Sequence, residues 1–257
     1  MATIVAIANQ KGGVAKTTTA ISLSAALGAL EQRVLLVDCD PQGNATRGLG
    51  LSAEPPHLYH VLTEQAPAAD AVQATDFPGL SVLPTDRELV GLEVELVGTD
   101  GWERRLGERL APIVDRFDVM FLDCPPSLGH LTVNALTAAT RLLVPVQSEY
   151  FALEGISELV ATVRRVQARL NPALEIGGIL LTMVDERTNL SQEVAAEIRR
   201  YFGARVFDTF VPRNVRLAEA PSHGLPILQY DIKSRGAEAY LAVAREFLAR
   251  EATRDEA

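Results

Sequence analysis

The chain has 257 residues, 47% of them hydrophobic, and a formal net charge of −9 from 24 Lys+Arg against 33 Asp+Glu. That length and apolar content suit one α/β domain with a substantial core, so residues 1–257 are read as a single domain. The acidic balance excludes indiscriminate nucleic-acid binding by bulk charge; any such contact needs a local basic patch. No uninterrupted apolar run approaches a membrane span, and Met1-Ala-Thr leads into the first strand without room for a signal peptide. Cys39 and Cys124 each adjoin a carboxylate and are expected as small buried residues in a reducing cytosol.

Thr3 to Ala8 is apolar and β-branched and reads as a strand. Ala8-Asn9-Gln10-Lys11-Gly12-Gly13-Val14-Ala15-Lys16-Thr17-Thr18 follows and opens into a helical pattern with Leu23, Ala26, Leu27 and Leu30 on one face. Strand, glycine turn and helix in that order form a phosphate-binding loop, in which backbone N–H groups and the helix dipole converge on an anion. Gly12, Gly13, Val14, Ala15, Lys16, Thr17 and Thr18 are therefore the expected nucleotide ligands. Lys16 would reach the β/γ-phosphates and the Thr17 hydroxyl would hold Mg²⁺. The competing reading, a plain βα turn with a lysine nearby, does not explain why all these features fall in order. The spacing is not that of a standard Walker A motif, because Lys11-Gly12-Gly13 sits close before Lys16.

Arg33 to Asp38 is a short continuous apolar run, as suits a parallel strand buried on both faces. It delivers Asp38-Cys39-Asp40-Pro41-Gln42-Gly43-Asn44 to the carboxyl end of the sheet, where ligands bind in open α/β folds. Asp40 either acts there or merely caps a turn ahead of Pro41. His57 and His60 could share a helix face; with His130 and His223 they show no metal spacing and are expected at the surface. Leu80 to Pro84 reads as a strand, and Trp102 to Val114 as a helix with Leu106, Leu110, Ile113 and Val114 inward. Asp118-Val-Met-Phe-Leu-Asp123-Cys-Pro-Pro-Ser127 is a second buried strand ending in an aspartate, ahead of a stiff Pro-Pro turn. Leu142 to Val146 and Ile176 to Leu181 give further strands. Leu153 to about Leu170, Ser191 to Phe202 and Ser234 to Glu251 are expected as helices, and Val206 to Val211 as a strand. The residues after Glu251 are expected to fray. Alternating strands and helices predict a mostly parallel twisted sheet flanked by helices on both faces.

Three of these segments together carry a resemblance. Lys11-Gly-Gly-Val-x-Lys-Thr resembles the deviant Walker A motif K-G-G-x-G-K-[ST] of the ParA/MinD ATPases. Asp38-Cys-Asp-Pro-Gln-Gly-Asn resembles that family's D-x-D-P-Q-G-N. Pro212-Arg-Asn-Val-Arg-Leu-Ala-Glu-Ala-Pro-Ser222 resembles the P-R-N-V-R-L-x-E-A-P-S segment of the Soj-type members. The resemblance implies ATP and Mg²⁺ as cofactors, Lys11 reaching across a dimer interface to the partner's phosphates, and Asp40 polarising the attacking water. It also implies Asp38 and Asp123 near the metal, and Pro212 and Asn214 beside the adenine. One residue departs: Ala15 stands where glycine is usual, and a positive φ there would cost on the order of 1 kcal/mol.

By the same resemblance, Arg187 and Arg216 are candidate contacts to non-specific double-stranded DNA, with Arg213, Lys233 and Arg235 nearby. The implied function is an ATP-dependent homodimer that sits on the nucleoid and is released when a ParB-like partner stimulates hydrolysis. The tail from Ala249 lacks a basic amphipathic lipid-binding pattern, which disfavours a MinD-like membrane role. A positioning ATPase with a protein cargo, or a metabolic relative of the dethiobiotin synthetase kind, are the alternative readings.

Overall fold

Apolar runs of five to seven residues form the centre of the sheet because both of their faces are covered. The computed structural model describes residues 2–95, 98–149 and 152–255. Its strands are β1 (Thr3–Ile7), β2 (Val34–Asp38), β3 (Gln73–Ala74), β4 (Leu80–Leu83), β5 (Val119–Asp123), β6 (Arg141–Gln147) and β7 (Glu175–Thr182). They lie in the order β3-β4-β2-β5-β1-β6-β7, all parallel except the short β3 against β4. Both neighbours of β1 therefore come later in the chain, which puts the loop after β1 in the middle of the sheet's carboxyl edge.

The helices in chain order are α1 (Lys16–Ala29), α2 (Asn44–Gly48), α3 (Leu58–Leu62), α4 (Ala68–Ala71), α5 (Leu89–Glu95) and α6 (Arg105–Leu110). They continue with α7 (His130–Ala138), α8 (Ala152–Arg169), α9 (Asn189–Phe202), α10 (Val215–Glu219), α11 (Ile227–Tyr230) and α12 (Arg235–Asp255). Strand side chains alternate between two cores, as the two-residue period requires. Val5, Ile7, Leu36 and Phe121 pack with Leu23 and Leu27 of α1 and with Tyr240 and Phe247 of α12. Ala6, Leu35, Met120 and Leu122 belong to the opposite core with Leu58, Leu136, Leu159 and Ile198. The Tyr240 hydroxyl, fully buried, shares a 3.0 Å hydrogen bond with the Thr19 hydroxyl and so ties α12 to α1. A buried phenol needs such a partner.

Four expectations are corrected. Trp102 to Val114 is not one helix: a 3-10 turn (Trp102–Arg104) precedes α6, and a second (Ala111–Arg116) follows it. Pro112 supplies the reason, since it has no N–H and crowds the preceding turn. Val206 to Val211 is not a strand and makes only isolated bridges at Val206 and Pro212. Its Phe207 and Val211 amides still reach β7, but side chains of α12 take the groups between: Glu246 accepts from the Asp208 and Thr209 amides at 2.8 and 2.9 Å, and Arg250 donates to the Val206 carbonyl at 2.7 Å. The tail does not fray at Glu251; α12 runs to Asp255, with Arg254 donating to the Gly177 carbonyl at 3.0 Å. Residues 256 and 257 lie outside the described part. His57 is not a surface residue; it is covered from solvent at the start of α3, while His60 is half-buried. Among the described residues no helix is long and apolar enough to cross a membrane.

Candidate active site

The loop between β1 and α1 is held from its own side chains and from β6. Asn9 accepts the Lys11 amide at 3.0 Å and donates to the Pro145 carbonyl at 2.8 Å, and the Thr182 hydroxyl donates to the Val14 carbonyl at 3.1 Å. Gly13 lies at φ 74° and Ala15 at φ 66°, ψ 34°, both left-handed. For Gly13 that is free; for Ala15 the Cβ meets the neighbouring carbonyl, a strain of about 1 kcal/mol. The two turns leave the unpaired first-turn N–H groups of α1 facing a cavity of about 310 Å³ bordered by Gly12, Lys16, Thr17, Asp40 and Pro126. Lys16, buried, donates to the Lys11 carbonyl at 3.2 Å. Burial pushes its pKa down, against the pull of Asp123, Cys124 and Asp40.

Three carboxylates stand beside this cradle. Asp38 and Asp123 are register partners at the ends of β2 and β5, and both are fully buried. Asp38 accepts from the Thr46 amide (2.8 Å), the Thr46 hydroxyl (2.7 Å) and the Asp40 amide (3.3 Å). Even so, burial raises its pKa to about 6. Asp123 has no hydrogen-bond partner of good geometry at either oxygen. Burial first, then the Asp38 charge, push its pKa well above the carboxylate range, and the facing Thr17 hydroxyl acts against that rise. A buried acidic pair, its Asp123 member without a partner, beside a threonine hydroxyl and a phosphate cradle fits Mg²⁺, a hard cation that takes oxygen ligands. A divalent ion there would relieve the desolvated charge that the protein itself leaves unpaired.

Asp40 combines both of its sequence readings: its Oδ1 caps the turn by accepting the Gln42 amide at 2.9 Å, and the residue lines the phosphate cavity. The buried thiols of Cys39 and Cys124 flank the site, and burial pushes both pKa values up, so neither is a nucleophile.

A second cavity of about 320 Å³ adjoins the cradle, walled by Thr18, Met183, Pro212, Asn214, Val215 and Leu217. Its lining is mostly apolar, as a planar base requires. Asn214 uses its Oδ1 on the Arg216 amide at 2.8 Å and so caps α10; its amide nitrogen stays available. Pro212 is bridged to Val184, fixing this segment to the end of β7. Sequence reasoning missed Met183, which sits at φ 50° in both cavity walls, and Tyr240, whose contribution from α12 has no local motif. A further cavity of about 430 Å³ opens elsewhere, beside Val163, Tyr201 and Arg254 at the amino end of β7, and contains no residue of this site.

Two lysines of the loop diverge. Lys16 turns into its own cradle, whereas the Lys11 ammonium is held outside it by Glu149 at 2.6 Å. The basic candidates gather around the end of β7 and the start of α12. Arg187 pairs with Asp185, Arg216 with Glu219 and Asp231, and Arg235 with Glu186. The Arg187 side chain is 88% exposed, yet its carboxylate partner is pulled down to a pKa of about 2. Arg213 and Lys233 are exposed, and among the described residues no salt bridge engages them.

A central parallel strand, a lysine-bearing glycine loop and paired strand-end aspartates define a P-loop nucleoside triphosphatase of the deviant Walker A class. Residues 2–176 match the family described as AAA domain. The chain is 52% identical to the sporulation initiation inhibitor protein Soj of Bacillus subtilis, covering 97% of this chain and 99% of that protein. It is 51% identical to the chromosome partitioning protein ParA of Caulobacter vibrioides, covering 98% and 96%. The fold also matches a structure of cobyrinic acid a,c-diamide synthase from Mycobacterium smegmatis with bound ADP and magnesium. The TM-score is 0.85 at 38% identity, over 96% of this chain and 94% of that one. The chain belongs to the ParA/Soj family of chromosome-partitioning ATPases.

Proposed function

We propose that this chain is a DNA-bound timer set by ATP: Mg-ATP joins two copies, the pair binds non-specific DNA, and hydrolysis releases it. Thr17, Asp38 and Asp123 would hold the metal, and Lys16 would neutralise the β/γ-phosphates. Asp40 orients the attacking water, while Pro212 and Asn214 border the base. Positioning and electrostatics of this kind are what phosphoryl transfer needs.

The observation that carries the reading is the divergence of Lys11 from Lys16. One cradle needs one lysine; a second, aimed outward and held only by an exposed glutamate, suits a phosphate on another subunit. Gly12 supports it, because a Cβ there would meet nothing within 4 Å and no positive φ requires glycine. The space is explained by a surface that comes close only in the pair. The relative named for chromosome partitioning, at 51% identity, favours this reading over the metabolic one attached to the 38% match.

In the paired state, Arg187, Arg213, Arg216, Lys233 and Arg235 from two copies form one basic surface. Phosphates then compete with Asp185, Glu186, Glu219 and Asp231 for the arginines, so binding weakens steeply with salt. A ParB-like protein accelerates hydrolysis and ends the bound state. Gel filtration and retention on DNA are compared for the apo, ADP and ATP forms, with Lys11→Ala alongside. Dimer and DNA retention are expected only with ATP and are lost in Lys11→Ala. An oligomeric state that ignores the nucleotide would sink the reading. Unchanged retention in an Arg187→Ala, Arg216→Ala double variant would move the DNA surface elsewhere.

A further inference from the structure

Outside the nucleotide site, one group of side chains has the chemistry of a transition-metal site. His57 and His60, one helical turn apart at the start of α3, face Glu88 in the loop between β4 and α5. One ligand atom from each lies within 4.8 Å of the other two. Nε2 of His57 stands 3.4 Å from a Glu88 oxygen and 3.5 Å from an oxygen of Asp86. From this cluster we infer that the chain carries a second cation site, selective for zinc-like ions over Mg²⁺, built by His57, His60 and Glu88, with Asp86 beside His57 and a fourth position left to water.

The distances argue for a shared cation over hydrogen bonding. An N–H···O bond is ordinarily about 2.7–3.2 Å long. Two contacts of 3.4 and 3.5 Å from one nitrogen are long for bonds. Ligands about 2.0–2.1 Å from a tetrahedral zinc stand roughly 3.3–3.4 Å apart, which is the spacing found. The second imidazole stands edge-on to the first with ring centres 4.4 Å apart; its Nδ1 lies 3.4 Å from the His57 amide, capping α3, and the ring supplies the second nitrogen ligand. His57 is 1% exposed, and its Nδ1 makes no hydrogen bond of good geometry, so no strong partner fixes which ring nitrogen carries the proton. Asp86 and Glu88 remain 40% and 57% exposed, which leaves the ion a way in.

Two imidazoles and carboxylates suit Zn²⁺ or Co²⁺ and disfavour Mg²⁺, which keeps to oxygen and water. The site is separate from the phosphate cradle but close to it in bonding. Asp86 follows Thr85, whose amide donates to the Thr46 hydroxyl at 3.1 Å, the hydroxyl that in turn donates to Asp38. An ion there pins that loop to α3.

The test is a titration of the full chain, saturated with Mg-ADP so that the nucleotide metal position is filled. Zn²⁺ is added in competition with a chromophoric chelator, and Co²⁺ is followed by its visible absorption. One equivalent of Zn²⁺ and the intense bands of four-coordinate Co²⁺ are expected. His60→Ala and Glu88→Gln each weaken binding at least about tenfold. Glu88 is largely exposed and Glu88→Gln keeps the wild-type melting temperature without metal, whereas His57→Ala and His60→Ala also touch the cap of α3. No retained Zn²⁺, octahedral-type weak Co²⁺ bands, or binding unchanged in both variants would overturn the site. The last result would place the ion on other residues.

Discussion

Strands β2 and β5 lie side by side and have an acid near both ends, but the two ends differ in every physical respect. At the amino end Arg33 donates three hydrogen bonds to Asp118, from its amide at 2.8 Å and its guanidinium at 3.1 and 2.6 Å. That pair is exposed, of opposite sign and satisfied, and Arg33 holds the Asp118 pKa below its ordinary value. At the carboxyl end Asp38 and Asp123 are buried and of like sign, Asp123 without a hydrogen-bond partner, and both pKa values rise. The residue type is the same, so environment alone separates a clip from a site. The amino end aligns two strands, while the carboxyl end stores unfavourable charge until a cation arrives.

The comparison breaks most visibly at Asp123. Asp123→Asn is expected to lower ATP hydrolysis by at least about 100-fold and yet to stabilise the nucleotide-free protein by roughly 1–3 kcal/mol. Hydrolysis assays and urea unfolding of the same sample check both parts; an apo protein made less stable would deny that the acid is stored strain.

Next in size is a pH effect from Asp38. Its folded pKa of about 6 lies above the ordinary aspartate value of 3.8, so the folded state binds more protons between those values. Its contribution to stability is complete below pH 4 and is lost as pH rises through about 6, a change of roughly 2–3 kcal/mol. Urea unfolding of the apo protein across that window measures it, and Asp38→Asn is expected to flatten the slope.

Ala15→Gly sharpens the contrast inside the cradle. Relief of left-handed strain and the greater freedom of the unfolded glycine oppose each other, leaving a net gain below about 1 kcal/mol. Thermal melts resolve the sign. The smallest effect is expected from Arg33→Ala, a slight and salt-sensitive drop in melting temperature with hydrolysis unchanged.

Much of this was legible in the residue string. Asp38 and Asp123 end strands and Asp40 follows two residues on, because apolar runs of fixed length announce where a buried strand stops; Lys16 and Thr17 open the helix that the glycine turn introduces. The sheet followed from the same runs. What stayed hidden depends on contacts distant in sequence. The αL state of Ala15 was only conditional, because nothing local forces it. The segment 206–211 looks like a strand by composition, but Glu246 and Arg250 claim two of its amides and one carbonyl from 37 to 44 residues away. His57 looked exposed because its cover comes from another loop. Glu149, which holds Lys11 from 138 residues away, carries no motif at all.

The bond between Thr19 and Tyr240 spans 221 residues. During synthesis the helix behind the phosphate loop therefore waits for nearly the whole polypeptide before its inner face is latched, and the wall of the base pocket arrives at the same late moment. A nascent or truncated copy presents the signature lysines without a finished seat for the nucleotide. Only the completed chain brings Thr18 and Tyr240 together as walls of that one cavity.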